Sequence, residues 1–134
     1  MLAFGERQDG PDIQEIAPHG PLSWIARDSS RPGRLPLPDS WVAHASADWS
    51  RVHLEQEPDR VLAGLRAAFT QATAIDATPI HAEVHRWRYA HAGSTLDRAC
   101  LWDPAGLALC GDWCLGTHVE AAFDSGCAAA NACI

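Results

Sequence analysis

The segment from Leu107 to Ala130 constrains this chain more than any other, because it calls for a strand, a sharp turn and a helix in quick succession. Leu107-Ala108-Leu109-Cys110 follows the turn signal Asp103-Pro104-Ala105-Gly106 and is apolar throughout, which suits a strand buried on both faces, as in a parallel sheet. Gly111 and Asp112 end it. Thr117 and Glu120 have capping-box spacing, so a helix is expected to begin near His118. Its interior is crowded with small residues, among them Ala121, Ala122, Ser125, Gly126, Ala129 and Ala130, while Val119, Phe123 and Cys127 form a larger apolar stripe every four residues. Glycine inside a helix costs about 1 kcal/mol against alanine, so Gly126 implies a close approach by a neighbour. Asp112 lies just past the strand end, where α/β sheets bind ligands. Backbone N–H groups near His118 and Val119 offer partial positive charge to an anionic or carbonyl-rich group.

The rest of the chain divides by its breakers. Pro21 to Arg27 alternates as a strand does, and Asp28-Ser29-Ser30-Arg31-Pro32-Gly33-Arg34 reads as a polar loop. Trp41 to Ala45 is a second short strand, and Ser46 caps a brief helical turn. Pro58 suits the first position of a longer helix, in which Val61, Leu65, Ala68, Phe69 and Ala72 recur on one face that should cover a sheet. Pro79 ends that helix, and Ile80 to Ala90 reads as a long strand. Strand, strand, helix, strand is an α+β arrangement, with a mixed or antiparallel sheet under a covering helix.

Composition removes several functions. The chain has 134 residues, a net charge of −7 and ten basic residues, all of them Arg. An acidic chain without a basic surface is not expected to bind nucleic acid, and the lack of Lys excludes a Schiff base formed by this chain. No apolar run approaches the ~20 residues that span a bilayer, so no membrane partner is expected. Cys100, Cys110, Cys114, Cys127 and Cys133 are odd in number, and the N-terminus turns polar after Phe4 without a secretory signal, which points to reduced thiols and a cytoplasmic location.

Other chemistries fit poorly. His81-Ala82-Glu83-Val84-His85 resembles a zinc-helix motif, but its Glu is displaced and its context is a strand. Cys110, Cys114 and His118 stand at spacings of four, yet a strand end, a loop and a helix start separate them; they read as a core thiol, a loop thiol and a first-turn histidine. No metal site is expected, and a Cys–His nucleophile would need an orienting group that the sequence does not supply. Of six tryptophans, Trp24, Trp41, Trp87, Trp102 and Trp113 lie on or beside expected strands, where large core residues are the ordinary reading.

Gly111-Asp112, Gly116, Val119-Glu120-Ala121-Ala122, Ser125-Gly126 and Ala129-Ala130 together resemble the C-terminal flavin motif of the amine oxidase superfamily. His85-Arg86-Trp87-Arg88-Tyr89-Ala90, Leu22-Ser23-Trp24-Ile25-Ala26-Arg27-Asp28-Ser29-Ser30 and Trp49-Ser50 resemble, more narrowly, the renalase-like FAD-dependent oxidoreductases. The resemblance implies part of a substrate domain over residues 1–91, and over 92–134 the C-terminal segment, with the last strand and helix, of a Rossmann-type FAD domain. The family's Gly-x-Gly-x-x-Gly turn has no counterpart here, so the leading reading is a fragment lacking the N-terminal half of the FAD domain, with Met1 as an internal methionine.

On that resemblance the cofactor is FAD, and an amine or dihydronicotinamide-type small molecule gives a hydride to flavin N5, with dioxygen as reoxidant. Gly111 and Asp112 face the cofactor, Asp112 as a hydrogen-bond partner of its ribityl or phosphate portion. N–H groups near His118 and Val119 face the pyrimidine end of the ring. Glu120 is kept as a structural capping residue. His85, Trp87 and Tyr89, alternating along one strand face with Arg86 and Arg88 on the other, form an aromatic wall of the substrate cavity. Two further readings stay open: a stand-alone, non-enzymatic module that docks on a separate nucleotide-binding subunit, and a small metal protein.

Overall fold

Residues two apart along several short apolar runs point to one side, and that side becomes a core. In the computed structural model, which describes residues 1–16, 20–88, 90 and 92–133, β1 (Leu2–Phe4), β2 (Ile13–Glu15), β3 (Leu22–Arg27), β4 (Asp39–Ala45) and β5 (His81–Ala82) form one sheet. Its order is β2-β3-β4-β1-β5 and every pairing is antiparallel. Leu2 pairs with Trp41, Phe4 with Asp39, Ile25 with Ala43 and Arg27 with Trp41, so these residues share one face. Two helices follow β4, α1 (Ala47–His53) and α2 (Pro58–Thr73). Leu2, Phe4, Leu22, Ile25 and Trp41 from the sheet pack with Ala68 and Phe69 of α2 and with Ile75. Phe69 meets the edge of Trp41 at 5.6 Å between ring centroids.

The ends of these helices follow from single residues. The Ser46 hydroxyl accepts from the Trp49 N–H and starts α1, as the sequence implies. Pro58 opens α2, where the missing N–H costs nothing. The helix ends before Pro79, because Ala74 adopts a left-handed conformation (φ 60) and the Thr73 hydroxyl turns to accept from the Ile75 N–H.

The expected long strand from Ile80 to Ala90 is not formed; β5 is confined to His81–Ala82. Its partner β1 is short, and pairing stops where β1 stops, with the Glu83 N–H donating to the Met1 carbonyl. Alternation alone did not reveal the length of the neighbour.

The chain divides into two compact units, Met1–Arg86 and Trp87–Ile134. The second holds β6 (Leu101–Asp103), β7 (Leu107–Leu109), α3 (Asp112–Leu115) and α4 (Val119–Ala132). β6 and β7 form an antiparallel hairpin. Asp103 Oδ1 accepts from the Ala105 N–H at 2.7 Å in its turn, and Gly106 takes the positive φ of 93 that the turn requires. The parallel, doubly buried strand expected at 107–110 is therefore a hairpin strand, with Leu107 58% and Leu109 46% exposed. The Asp-Pro-Ala-Gly turn explains this, since it folds β7 straight back on β6. The architecture is α+β, and among the described residues no helix is long and apolar enough to cross a membrane.

Candidate functional site

In the second unit, the junction between β7 and α4 is held by one side chain. Ser125, fully buried on α4, accepts from the Gly111 N–H at 2.9 Å and donates to the Ala99 carbonyl at 2.6 Å. One hydroxyl thus ties the strand end and the chain entering β6 to the middle of the helix. A Cβ at 111 would collide with the Trp113 indole, so any other residue there displaces that ring. At Gly116 an added Cβ would lie 3.0 Å from His118 Nε2. Between these glycines the chain makes the single turn α3, where a plain loop is expected from the sequence; α3 packs against α4.

Asp112 stands at the start of α3, half-buried, with Oδ1 accepting from the Trp113 N–H at 2.8 Å. The second carboxylate oxygen remains as an acceptor. α4 begins at Val119, one residue after His118, as the sequence suggests. The cap itself differs from the expected Thr117–Glu120 box. His118 Nδ1 accepts from the Ala121 N–H at 3.1 Å, which displaces the cap by one position. Thr117 then stands a residue too early, and Glu120 Oε2 lies 3.4 Å from His118 Nδ1 instead of reaching back to the threonine. The N–H groups of Val119 and Glu120, in the first turn, have no intrahelical acceptor.

Other expectations are reversed by packing. The larger stripe of α4 faces outward, with Val119 81% and Phe123 70% exposed, whereas the small residues Ala121, Ser125 and Ala129 are buried. A Cβ at Gly126 would meet open space, so among the described residues of its unit no neighbour approaches it closely. Cys114 is the fully buried thiol and Cys110 is exposed, the reverse of their expected places, because α3 turns Cys114 inward. His85 and Trp87 are exposed and do not lie on a strand, since β5 ends at Ala82; Tyr89 lies outside the described residues. The single strand face invoked for the aromatic wall is therefore absent.

The sequence reading missed one buried charged cluster, in the first unit. Arg27 and Asp39, 2% and 0% exposed, lie on the core face of adjacent strands, with N···O at 3.2 Å. Asp39 also accepts from the Ser29 hydroxyl at 2.7 Å, the Gln8 N–H at 2.9 Å and the Trp41 indole at 3.1 Å. Arg27 donates to the carbonyls of Gln8 and Gly10, and its guanidinium lies 4.3 Å from the Trp41 ring centroid. Its Nε is 3.1 Å from Asp12 Oδ1, an ionic contact off the N–H axis, so that N–H makes no hydrogen bond. Burial acts to raise the Asp39 carboxyl, but the donors from Gln8, Ser29 and Trp41 and the Arg27 charge outweigh it and hold the pKa below the ordinary value. A carboxylate with this many donors has no oxygen left to take a substrate proton, so the cluster clamps the loop over residues 8–12 and the turn at 28–30 to the sheet. The available signal was the period of two, which puts Arg27 in step with Ile25 and Asp39 in step with Trp41.

The chain matches no model of a known protein family.

Proposed function

We propose that this chain is the C-terminal, cofactor-facing part of a cytoplasmic FAD-dependent oxidoreductase of the renalase-like group. Its substrate is an amine or dihydronicotinamide-type molecule, and its activity requires an N-terminal dinucleotide-binding half. The observation that carries this reading is the junction at Gly111: a strand end and an acidic residue fastened by Ser125 to a helix whose first N–H groups are open.

The donor set suits the group. Asp112 keeps an acceptor oxygen for a ribityl hydroxyl, and the Val119 and Glu120 N–H groups suit the carbonyl-rich pyrimidine end of the ring. When bound, FAD supplies the electron sink for hydride transfer. The side chains of this unit bind and orient; Gly111 and Gly116 leave room for the turn that brings Asp112 and the start of α4 onto packed elements. His85, Trp87 and Tyr89 are proposed to contact substrate.

The test is to express the reading frame extended upstream of Met1 and measure flavin per polypeptide by visible absorbance. Stoichiometric flavin in the extended protein, reduced by Asp112→Ala, is the expected result. Flavin content unchanged by the substitution would remove Asp112 from the site. An upstream frame without a Gly-x-Gly-x-x-Gly turn would favour the stand-alone docking module instead.

A further inference from the structure

The cap of α4 rests on a histidine nitrogen that can serve the helix in only one of its protonation states. His118 Nδ1 accepts from the Ala121 N–H at 3.1 Å, so it carries a lone pair and the ring proton sits on Nε2. Glu120 Oε2 stands 3.4 Å from the same atom. An ionised carboxylate only accepts, so it makes no hydrogen bond with an unprotonated Nδ1, whereas with a protonated one it makes an ion pair. The Ala121 N–H and Glu120 therefore compete for Nδ1, and the proton decides between them.

That competition acts on the helix. The common caps Ser, Thr and Asn keep their acceptor at every pH, whereas an imidazole gains a proton between about pH 8 and 5. Protonation takes the acceptor from the Ala121 N–H and puts positive charge at the positive end of the α4 dipole, and both weaken the first turn. The His118 and Glu120 side chains are 64% and 82% exposed, so the ion pair they form offsets little of that loss. The other charged groups on α4 and on the elements packed against it are Asp124, Asp112 of α3 and Asp103 of β6, with Asp97 and Arg98 just before the Ala99 carbonyl that Ser125 holds. Asp112 and Asp103 accept from N–H groups of their own turns. We infer that the start of α4 is a latch released by acid: unprotonated His118 caps it, and protonation hands Nδ1 to Glu120 and frees the Ala121 N–H. The latch works with or without a flavin, and its failure would leave the flavin reading untouched.

NMR of the full, nitrogen-labelled chain between about pH 8 and 5, where imidazoles titrate, tests it. The Ala121 amide proton should shift with the same midpoint as the His118 ring. Its protection from exchange, corrected for the intrinsic effect of pH, should fall by roughly 2- to 30-fold, the worth of one cap. Asp39, held below the ordinary carboxylate range, keeps its charge throughout this window. His118→Asn, which supplies an acceptor that does not titrate, should leave the Ala121 amide flat, and Glu120→Gln should move the shared midpoint to lower pH. An Ala121 amide that ignores the His118 titration, one that titrates unchanged in His118→Asn, or a midpoint unmoved by Glu120→Gln would overturn the latch. So would a wild-type ring found at pH 8 with its proton on Nδ1, a reading that needs no variant to fold.

Discussion

Asp39 and Ser125 each hold a unit together through groups that cannot reach water. Asp39→Ala leaves the buried Arg27 guanidinium only the half-exposed Asp12 carboxylate as counter-charge, and breaking a buried pair costs about 3–5 kcal/mol, to be read from urea midpoints. The folded pKa of Asp39 lies below its unfolded one, so its contribution is complete above the unfolded carboxyl range of ~4 and is lost as pH falls through the folded value. Stability should therefore drop on acidification, and Asp39→Asn, which cannot titrate, should flatten that drop. Ser125→Ala strands the Gly111 N–H and the Ala99 carbonyl at once, and about 1–3 kcal/mol should be lost from the second unit. Faster amide exchange confined to 99–133 would check it. None of these partners is close in sequence to the residue it satisfies, which is why a linear reading saw Arg27 as a strand end and Ser125 as one small helix residue among many.

Periodicity served best where an element's neighbours lie on one side. The α2 helix buries Ala68 and Phe69 of the stripe its spacing marks, with Leu65 and Ala72 partly buried against the core, and β3 and β4 contain the runs that alternation picks out, β4 starting two residues earlier at Asp39, because each has a sheet or core to face. It served worst where length or register depends on a partner. β5 stops with β1, and the α4 cap falls on His118 because the helix begins at Val119, out of step with Thr117. His118→Ala should cost about 0.5–2 kcal/mol of helix stability, with His118→Asn recovering most of it, as measured by circular dichroism on thermal melting.

For the whole molecule, Leu107 and Leu109 of β7 and Val119 and Phe123 of α4 leave apolar surface exposed. The proposed function calls for a second, dinucleotide-binding half. Titrating FAD into this chain alone should leave its tryptophan fluorescence unchanged, because no Gly-x-Gly-x-x-Gly turn is present to cradle the pyrophosphate. Stoichiometric binding would reject the need for a second half.

The residue pattern by itself determined that the chain is α+β, that a helix opening at Pro58 covers a sheet, and that a glycine-bounded turn leads into a small-residue helix near His118. These depend on local geometry: the period of a strand or helix, the missing N–H of proline, the turn chemistry of Asp and Gly. Tertiary structure alone decided which side of α4 is buried, which cysteine enters the core, that 107–109 pairs as a hairpin, and that Arg27 and Asp39 meet inside. Each depends on contacts between residues distant in sequence, and burial energy is assigned only when both partners are in place.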